Sequence, residues 1–231
     1  MISVRIDLHN HSCLSPCADD RLLPSLLALE AMEKGIQILG LTDHNGTQNL
    51  PAFEEACKLC SIMGVYGIEV TTIEEVHLLV LFETREEGQH FGDYIQSTLP
   101  KWTNVPSSLG RQLIVDVQGT IIHELELMLA NASSLSFDEV VEQANALGAL
   151  VIPAHIDRPT HSVLTNLGFL PDLPYSAVEM VRPSPQKWSV ITASDAHFLS
   201  DVGTRSCTIV LQELSWQALK EGLANQNNIL F

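Results

Sequence analysis

Short apolar runs alternate with amphipathic stretches along almost the whole chain, and this alternation points to a layered βα architecture. The first run, Ile2 to Leu8, reads as a strand. A stretch with helical spacing follows from Pro24 to Lys34, opened by proline and closed by Gly35. Further strands are predicted over 36–41, 65–70 and 76–82, with helices over 51–63 and 84–97 between or after them. Pro100, Pro106 and Gly110 break the pattern from 99 to 119, which reads as a loop or a small excursion. Helices are predicted near 124–131 and over 137–147, the second with Ser136 and Glu139 spaced as a capping box. Strands over 149–154, 177–181, 189–193 and 208–211 and a helix over 215–224 complete the chain. About seven strands, most followed by a helix, predict a distorted, TIM-like (βα) barrel in one domain over 1–231. Such barrels carry their chemistry where strands run into the following loops, so the functional residues are expected at the C-terminal ends of the strands.

Charge limits the partners. The 231 residues hold 28 acids against 12 Lys and Arg, a formal net charge of −16. That surface repels a long polynucleotide and an anionic membrane, yet bound divalent ions could still make a local cationic site. Nothing at Met1-Ile2-Ser3-Val4-Arg5 looks like a signal peptide. The longest uninterrupted apolar run, Leu78 to Phe82, is far short of a membrane span. The five cysteines form no secreted disulfide framework, so a reduced cytoplasm is expected.

The chemistry-bearing residues gather at the strand ends. Strand one ends Asp7-Leu8-His9-Asn10-His11, and a period of two puts Asp7, His9 and His11 on one face. Strand two ends Thr42-Asp43-His44, strand three Gly67-Ile68-Glu69, and strand four opens Val76-His77-Leu78. Later strands close on Pro153-Ala154-His155 and Ser194-Asp195-Ala196-His197. Six of the nine histidines therefore lie at strand ends, with Glu69 and Asp195 in equivalent places. Mixed imidazole and carboxylate donors suit Zn, Mn or Fe, and a multinuclear site accounts for the pattern best. Asp7 and Asp43 read either as partners that orient ligand imidazoles or as solvated strand-end acids. Arg158, three residues past His155, could hold a phosphate or sit in a surface ion pair, and Arg205 has a weaker version of the same choice. His90, His123 and His161 fit no motif and read as surface or structural. Cys57 and Cys60 form a CxxC inside a predicted helix with no second pair, which favours packing, as for Cys13 and Cys207.

In their order, HxH, TDH, GxE, H, AH and SDAH, these motifs resemble the polymerase and histidinol phosphatase (PHP) domain family. The resemblance spans about residues 5 to 205, and the string from Asp7 to Asp20 looks most like its small stand-alone phosphoesterases. It implies a seven-stranded barrel with up to three divalent metals. His9, His11, Glu69 and Asp195 would surround one ion, with Glu69 bridging to a second held by His77 and His155. His44 and His197 would hold a third. Family members usually add an acid or histidine five or six residues after the second histidine, where this chain has Pro16 and Cys17. Counting back from Pro24 selects Asp19 instead, with Asp20 the near alternative and Cys17 an outside one.

The implied activity is phosphoester hydrolysis by a metal-bridging hydroxide, with Arg158 and His197 as catalytic residues. Three ions against Asp19, Glu69 and Asp195 would leave roughly +3 in the pocket, enough to draw in a phosphate. Implied substrates are histidinol phosphate, nucleoside 3′,5′-bisphosphates or the 5′ ends of short oligonucleotides. A small phosphorylated metabolite or nucleotide is favoured over long nucleic acid. An amidohydrolase also opens a barrel with HxH, but Glu69 holds the position where its bridging lysine would be expected. A noncatalytic metal-binding module would be expected to lose ligands, and a fused polymerase accessory domain is disfavoured by the chain ending at Phe231.

Overall fold

The computed structural model describes residues 1–230. In chain order the elements that frame the site are β1 (Ile2–Asp7), α1 (Pro24–Glu33), β2 (Ile38–Leu41), α2 (Leu50–Cys60), β3 (Met63–Thr71), β4 (His77–Phe82) and α3 (Arg85–Thr98). A short α4 (Pro106–Leu109) precedes the β5 (Leu113–Val115) and β6 (Ile121–Glu124) hairpin. Then come α5 (Phe137–Ala146), β7 (Leu150–Pro153), α6 (Val163–Asn166), β8 (Val178–Glu179), β9 (Val190–Ile191), β10 (Cys207–Leu211), α7 (Trp216–Leu223) and β11 (Ile229–Leu230).

Seven strands form one sheet in the order β11-β10-β1-β2-β3-β4-β7. β1, β2 and β3 are parallel, each joined to the next by a crossover helix, α1 and then α2. The seven strands fit the distorted barrel expected, but the sheet is mixed, where a TIM-like barrel is parallel throughout. β4 runs antiparallel to β3 because Thr72 to Val76 turn too tightly for a crossover helix, with Thr72 N–H donating to Val76 O at 2.9 Å. β10 is antiparallel to β1, and β7 is antiparallel to β4. The antiparallel course of β4 puts its first residue, His77, at the rim where β1, β2, β3 and β7 end. β8 and β9 pair separately and lie between β7 and the end of β1. Ser176 N–H donates to Val151 O on one side, and Asp195 N–H donates to His9 O on the other.

Period-two patterning explains why β4 is apolar throughout. Leu79 and Leu81 enter a core with Val4, Ile6, Ile38 and Ile152, closed by Trp216, Leu219 and Leu223 of α7. Leu78, Val80 and Phe82 face the opposite way, against Phe91 and Ile95 of α3 and Phe137 and Val141 of α5. α5 begins with the expected capping box, Ser136 Oγ accepting from Glu139 N and the Glu139 carboxylate accepting from Ser136 N. The region read as a helix over 124–131 instead runs on from the end of β6, bridges through Leu127 to Thr103 and closes in a turn at 129–130. Its leucines, Leu125, Leu127 and Leu129, recur at every second position, a strand spacing, and pack with Leu14 and Leu99. Asn45 and Asn49 fasten this excursion to the rim: Asn45 Nδ2 donates to Leu129 O at 2.8 Å, and Asn49 Nδ2 donates to Leu113 O at 3.0 Å.

Candidate metal centre

Eight of the nine residues singled out as ligands converge on one rim: His9, His11, His44, Glu69, His77, His155, Asp195 and His197. Glu69 is the hub. Its Oε1 lies 2.9 Å from His77 Nδ1 and 3.2 Å from both His9 Nε2 and His155 Nε2. Its Oε2 lies 2.8 Å from His44 Nδ1 and 3.3 Å from His11 Nε2. Asp195 Oδ1 lies 3.2 Å from His11 Nε2 and 3.4 Å from His9 Nε2. The donors fall into four groups. His9, His11 and Asp195 come together as the family resemblance implies, and His44 and His197 share a group with His11, whereas His77 clusters with His44 and Glu69, and His155 with His9 and Glu69, instead of His77 and His155 sharing one. His155 and Asp195 hold φ of 30° and 50°, a left-handed conformation unusual outside glycine and common at functional sites.

These atoms fit metal ions better than they fit one another. Glu69 Oε2, His9 Nε2 and His77 Nδ1 are buried without a hydrogen bond, although each has a cluster atom within 3.2 Å. Stranding so many polar atoms in a protein interior costs more than a fold ordinarily tolerates, and shared cations would satisfy them. The far edges of the rings agree. His9 Nδ1 is 2.8 Å from Glu179 Oε2, His11 Nδ1 is 2.9 Å from Ser15 Oγ, and His197 Nδ1 is 2.9 Å from Asp195 O. If each Nδ1 donates there, each Nε2 turns a lone pair toward the cluster, as metal-binding histidines do. Burial would push the Glu69 carboxyl up, but His77, His9 and His44 outweigh it and hold it well below the usual carboxylate range. Burial with the neighbouring His197 and His44 pushes His11 well down, so it favours the neutral, ligating form.

Two supporting residues were not apparent in the sequence. Glu179, 2% exposed, orients His9 and also accepts from the His155 backbone N–H at 3.3 Å. Its signal was a lone acid inside the apolar stretch 177–181. Ser15 donates to Asp43 Oδ1 at 2.7 Å while touching His11, so Asp43 steadies an imidazole through a hydroxyl rather than directly. Asp7 touches no imidazole. It accepts from Ser194 N and Oγ and from Gly203 N, and so anchors the loop that carries Asp195.

Asp19 is the exception among the expected ligands. The Arg21 backbone N–H and guanidinium donate to its carboxylate at 2.8–3.0 Å and hold its pKa at about 2. That ion pair turns Asp19 toward a different surface depression, lined with Phe198 and Leu199. Asp20 faces Arg111 at 3.6 Å. It is Cys17 that meets the cluster, its Sγ 3.1 Å from His197 Nε2.

The cluster opens into a cleft of about 310 Å³. Arg158 stands in its wall, paired with Asp195 Oδ2, and Arg205 lines an adjoining depression with Arg158, His197 and Phe198. His161 also lines the cleft, its ring stacked on His77 at 4.6 Å. His90 and His123 stay outside the cluster, and Cys57 is buried in α2 against the core, as a packing residue would be.

The family model of the PHP domain matches residues 7–141, with His155, Asp195 and His197 beyond the matched stretch. No curated protein matches the chain. Among solved structures, the lesion-specific endonuclease PfuEndoQ from Pyrococcus furiosus is similar at TM-score 0.73 and 18% identity, over 96% of this chain and 56% of that one. Endonuclease Q bound to a 27-mer duplex with an abasic lesion gives TM-score 0.69 at 16% identity, over 96% and 56%. A two-domain protein from Bacteroides vulgatus containing a predicted PHP-like metal-dependent phosphoesterase gives TM-score 0.60 at 15% identity, over 99% and 64%. The chain thus spans little more than half the length of the endonuclease Q chains it resembles. The ordered strand-end motifs, their convergence on Glu69 and the family match agree, and the chain belongs to the PHP domain family.

Proposed function

We propose that this protein is a metal-dependent phosphoesterase acting on a small phosphorylated metabolite, a nucleotide or a short oligonucleotide. The observation that carries this reading is the Glu69 hub, with both carboxylate oxygens within 3.3 Å of five imidazoles and one oxygen left without a hydrogen bond. His9, His11, His44, Glu69, His77, His155, Asp195 and His197 would hold up to three divalent ions, Zn, Mn or Fe. Bound there, such ions supply Lewis acidity toward phosphoryl oxygens and make a nucleophile available from water near pH 7.

The chain's own residues do the rest. Glu179, Ser15 and Asp43 fix ring orientations before substrate arrives, so little reorganisation accompanies the reaction. Arg158 lies beside the cluster and offers a planar fork of donors to a nonbridging oxygen; substrate would draw it from Asp195. His197, which lines the cleft and is partly exposed, would meet the ester. Arg205 can take a second phosphate or a terminal one, which favours bisphosphates and 5′-phosphorylated ends. A duplex such as the one in the endonuclease Q complex is disfavoured by the net charge of −16.

Phosphate release from a nucleoside 3′,5′-bisphosphate by chelator-stripped protein, with and without Mn²⁺, tests the reading. Release that depends on metal and is lost in folded His155→Ala supports it. Absence of release from folded, metal-loaded protein, across this substrate, histidinol phosphate and a 5′-phosphorylated dinucleotide, would overturn it.

A further inference from the structure

The outermost of the four donor groups, His11, His44 and His197, lacks the acid that the family pattern would add. Asp19 is engaged by Arg21 and Asp20 faces Arg111. The side chain that occupies the place is a thiol. Cys17 Sγ lies 3.1 Å from His197 Nε2, and Cys17 lines the cleft together with His44. A second observation points to a cation beside two of these three imidazoles, His11 and His44. Glu69 Oε2, fully buried, has no hydrogen bond although His44 Nδ1 is only 2.8 Å away.

The loop that presents Cys17 is built rigidly. Ser15 is tied to Asp43, Ala18 N–H donates to Ser15 O at 3.0 Å, and Asp19 N–H donates to His197 O at 2.9 Å. Gly110, at φ 93°, lies so close to Pro16 that a Cβ would overlap the Pro16 carbonyl oxygen. The excursion between α3 and α5 therefore braces the loop from outside.

We propose that Cys17 is a metal ligand, completing with His11, His44 and His197 a rim site with one sulfur donor. The proposal rests on the reading that the cluster holds divalent ions. Binding an M²⁺ ion there forms a metal–sulfur bond and releases the Cys17 thiol proton to solvent, with no change of oxidation state. A thiolate is a soft donor, so the rim site selects zinc or cobalt over manganese, while the oxygen-rich sites around Glu69 and Asp195 discriminate less. The thiolate also makes this ion the one that a thiol-directed oxidant would dislodge.

Cobalt substitution tests the assignment without reference to activity. Chelator-stripped full-length protein titrated with Co²⁺ should develop visible d–d bands together with a near-ultraviolet thiolate-to-cobalt charge-transfer band. In Cys17→Ser the charge-transfer band should vanish and affinity for one equivalent should fall at least about tenfold. Asp19→Asn should keep the band. Wild-type protein that shows d–d bands without the charge-transfer band, or a Cys17→Ser variant that retains it, overturns the Cys17 assignment alone. Failure to bind Co²⁺ at all overturns the metal reading beneath it. Should Cys17→Ser not fold, iodoacetamide labelling of the wild type decides. Zinc should protect Cys17, an exposed cysteine, at least about tenfold. Equal labelling with and without zinc overturns the assignment.

Discussion

At the scale of single residues, the proposed ligands and their supports differ in how they show themselves. His9, His11, His44, Glu69, His77, His155, Asp195 and His197 are legible because histidines and acids at strand ends are chemically conspicuous and locally spaced. Glu179 and Ser15 act through contacts the chain order hides; Glu179 meets His9 from 170 positions away. Asp19 looked like a ligand by counting, yet a neighbour two residues on, Arg21, captures it first. Glu179→Gln keeps the size of the side chain but weakens the acceptor for His9 Nδ1. We expect metal affinity to fall about 10–100-fold with little loss of folded structure, read by calorimetric titration. Unchanged affinity would remove Glu179 from the account.

Asp7 carries a pH signature. Burial pushes its carboxyl from 3.8 up to about 6, against hydrogen bonds from Ser194 and Gly203. As pH rises, the unfolded chain gives up this proton before the folded one does. The contribution of Asp7 is therefore fully present below pH 3.8 and is lost as pH rises through about 6, a change on the order of 3 kcal/mol. Asp7→Asn should flatten stability between these limits in metal-stripped protein, measured by urea unfolding at several pH values. Parallel profiles for the two proteins would contradict it.

At the scale of elements, most of the sheet and its covering helices follow from local pattern. α5 is the clearest case, with its capping box and apolar face both readable in order. Ser136→Ala should cost about 1 kcal/mol, lowering the thermal midpoint by a few degrees; an unchanged midpoint would mean the cap carries no load. The direction of β4 was less legible, because the five residues from Thr72 to Val76 hold no proline or glycine to announce a turn. A positive φ at Glu75 makes the bend instead. The stretch 124–131 reads as helix because its acids and leucines have good helix propensity, while the strand-like alternation and tertiary packing decide the outcome. That segment matters to function, since Leu109 and Ala130 of the excursion line the cleft.

At the scale of the whole molecule, a chain with net charge −16 folds around a cluster dense in imidazoles and carboxylates. Among the described residues no helix is long and apolar enough to cross a membrane. Ions held as proposed would link metal to fold, since ions that bind the folded chain alone stabilise it by mass action. At a hundredfold excess over the dissociation constant, one ion adds about 2.7 kcal/mol. For a chain of this size that is a rise of about 5–10 °C in thermal midpoint. Chelation should reverse it, and a midpoint indifferent to metal would argue against the linkage.

The most direct test of the central claim is phosphate-ester hydrolysis by the stripped protein, followed as metal is added one equivalent at a time, in wild type and in folded Glu69→Gln. The account predicts that activity appears only as metal binds and that Glu69→Gln is at least about a hundredfold slower, because the hub of the cluster has lost its charge. Hydrolysis by metal-free wild-type protein, or full activity in Glu69→Gln, would contradict it.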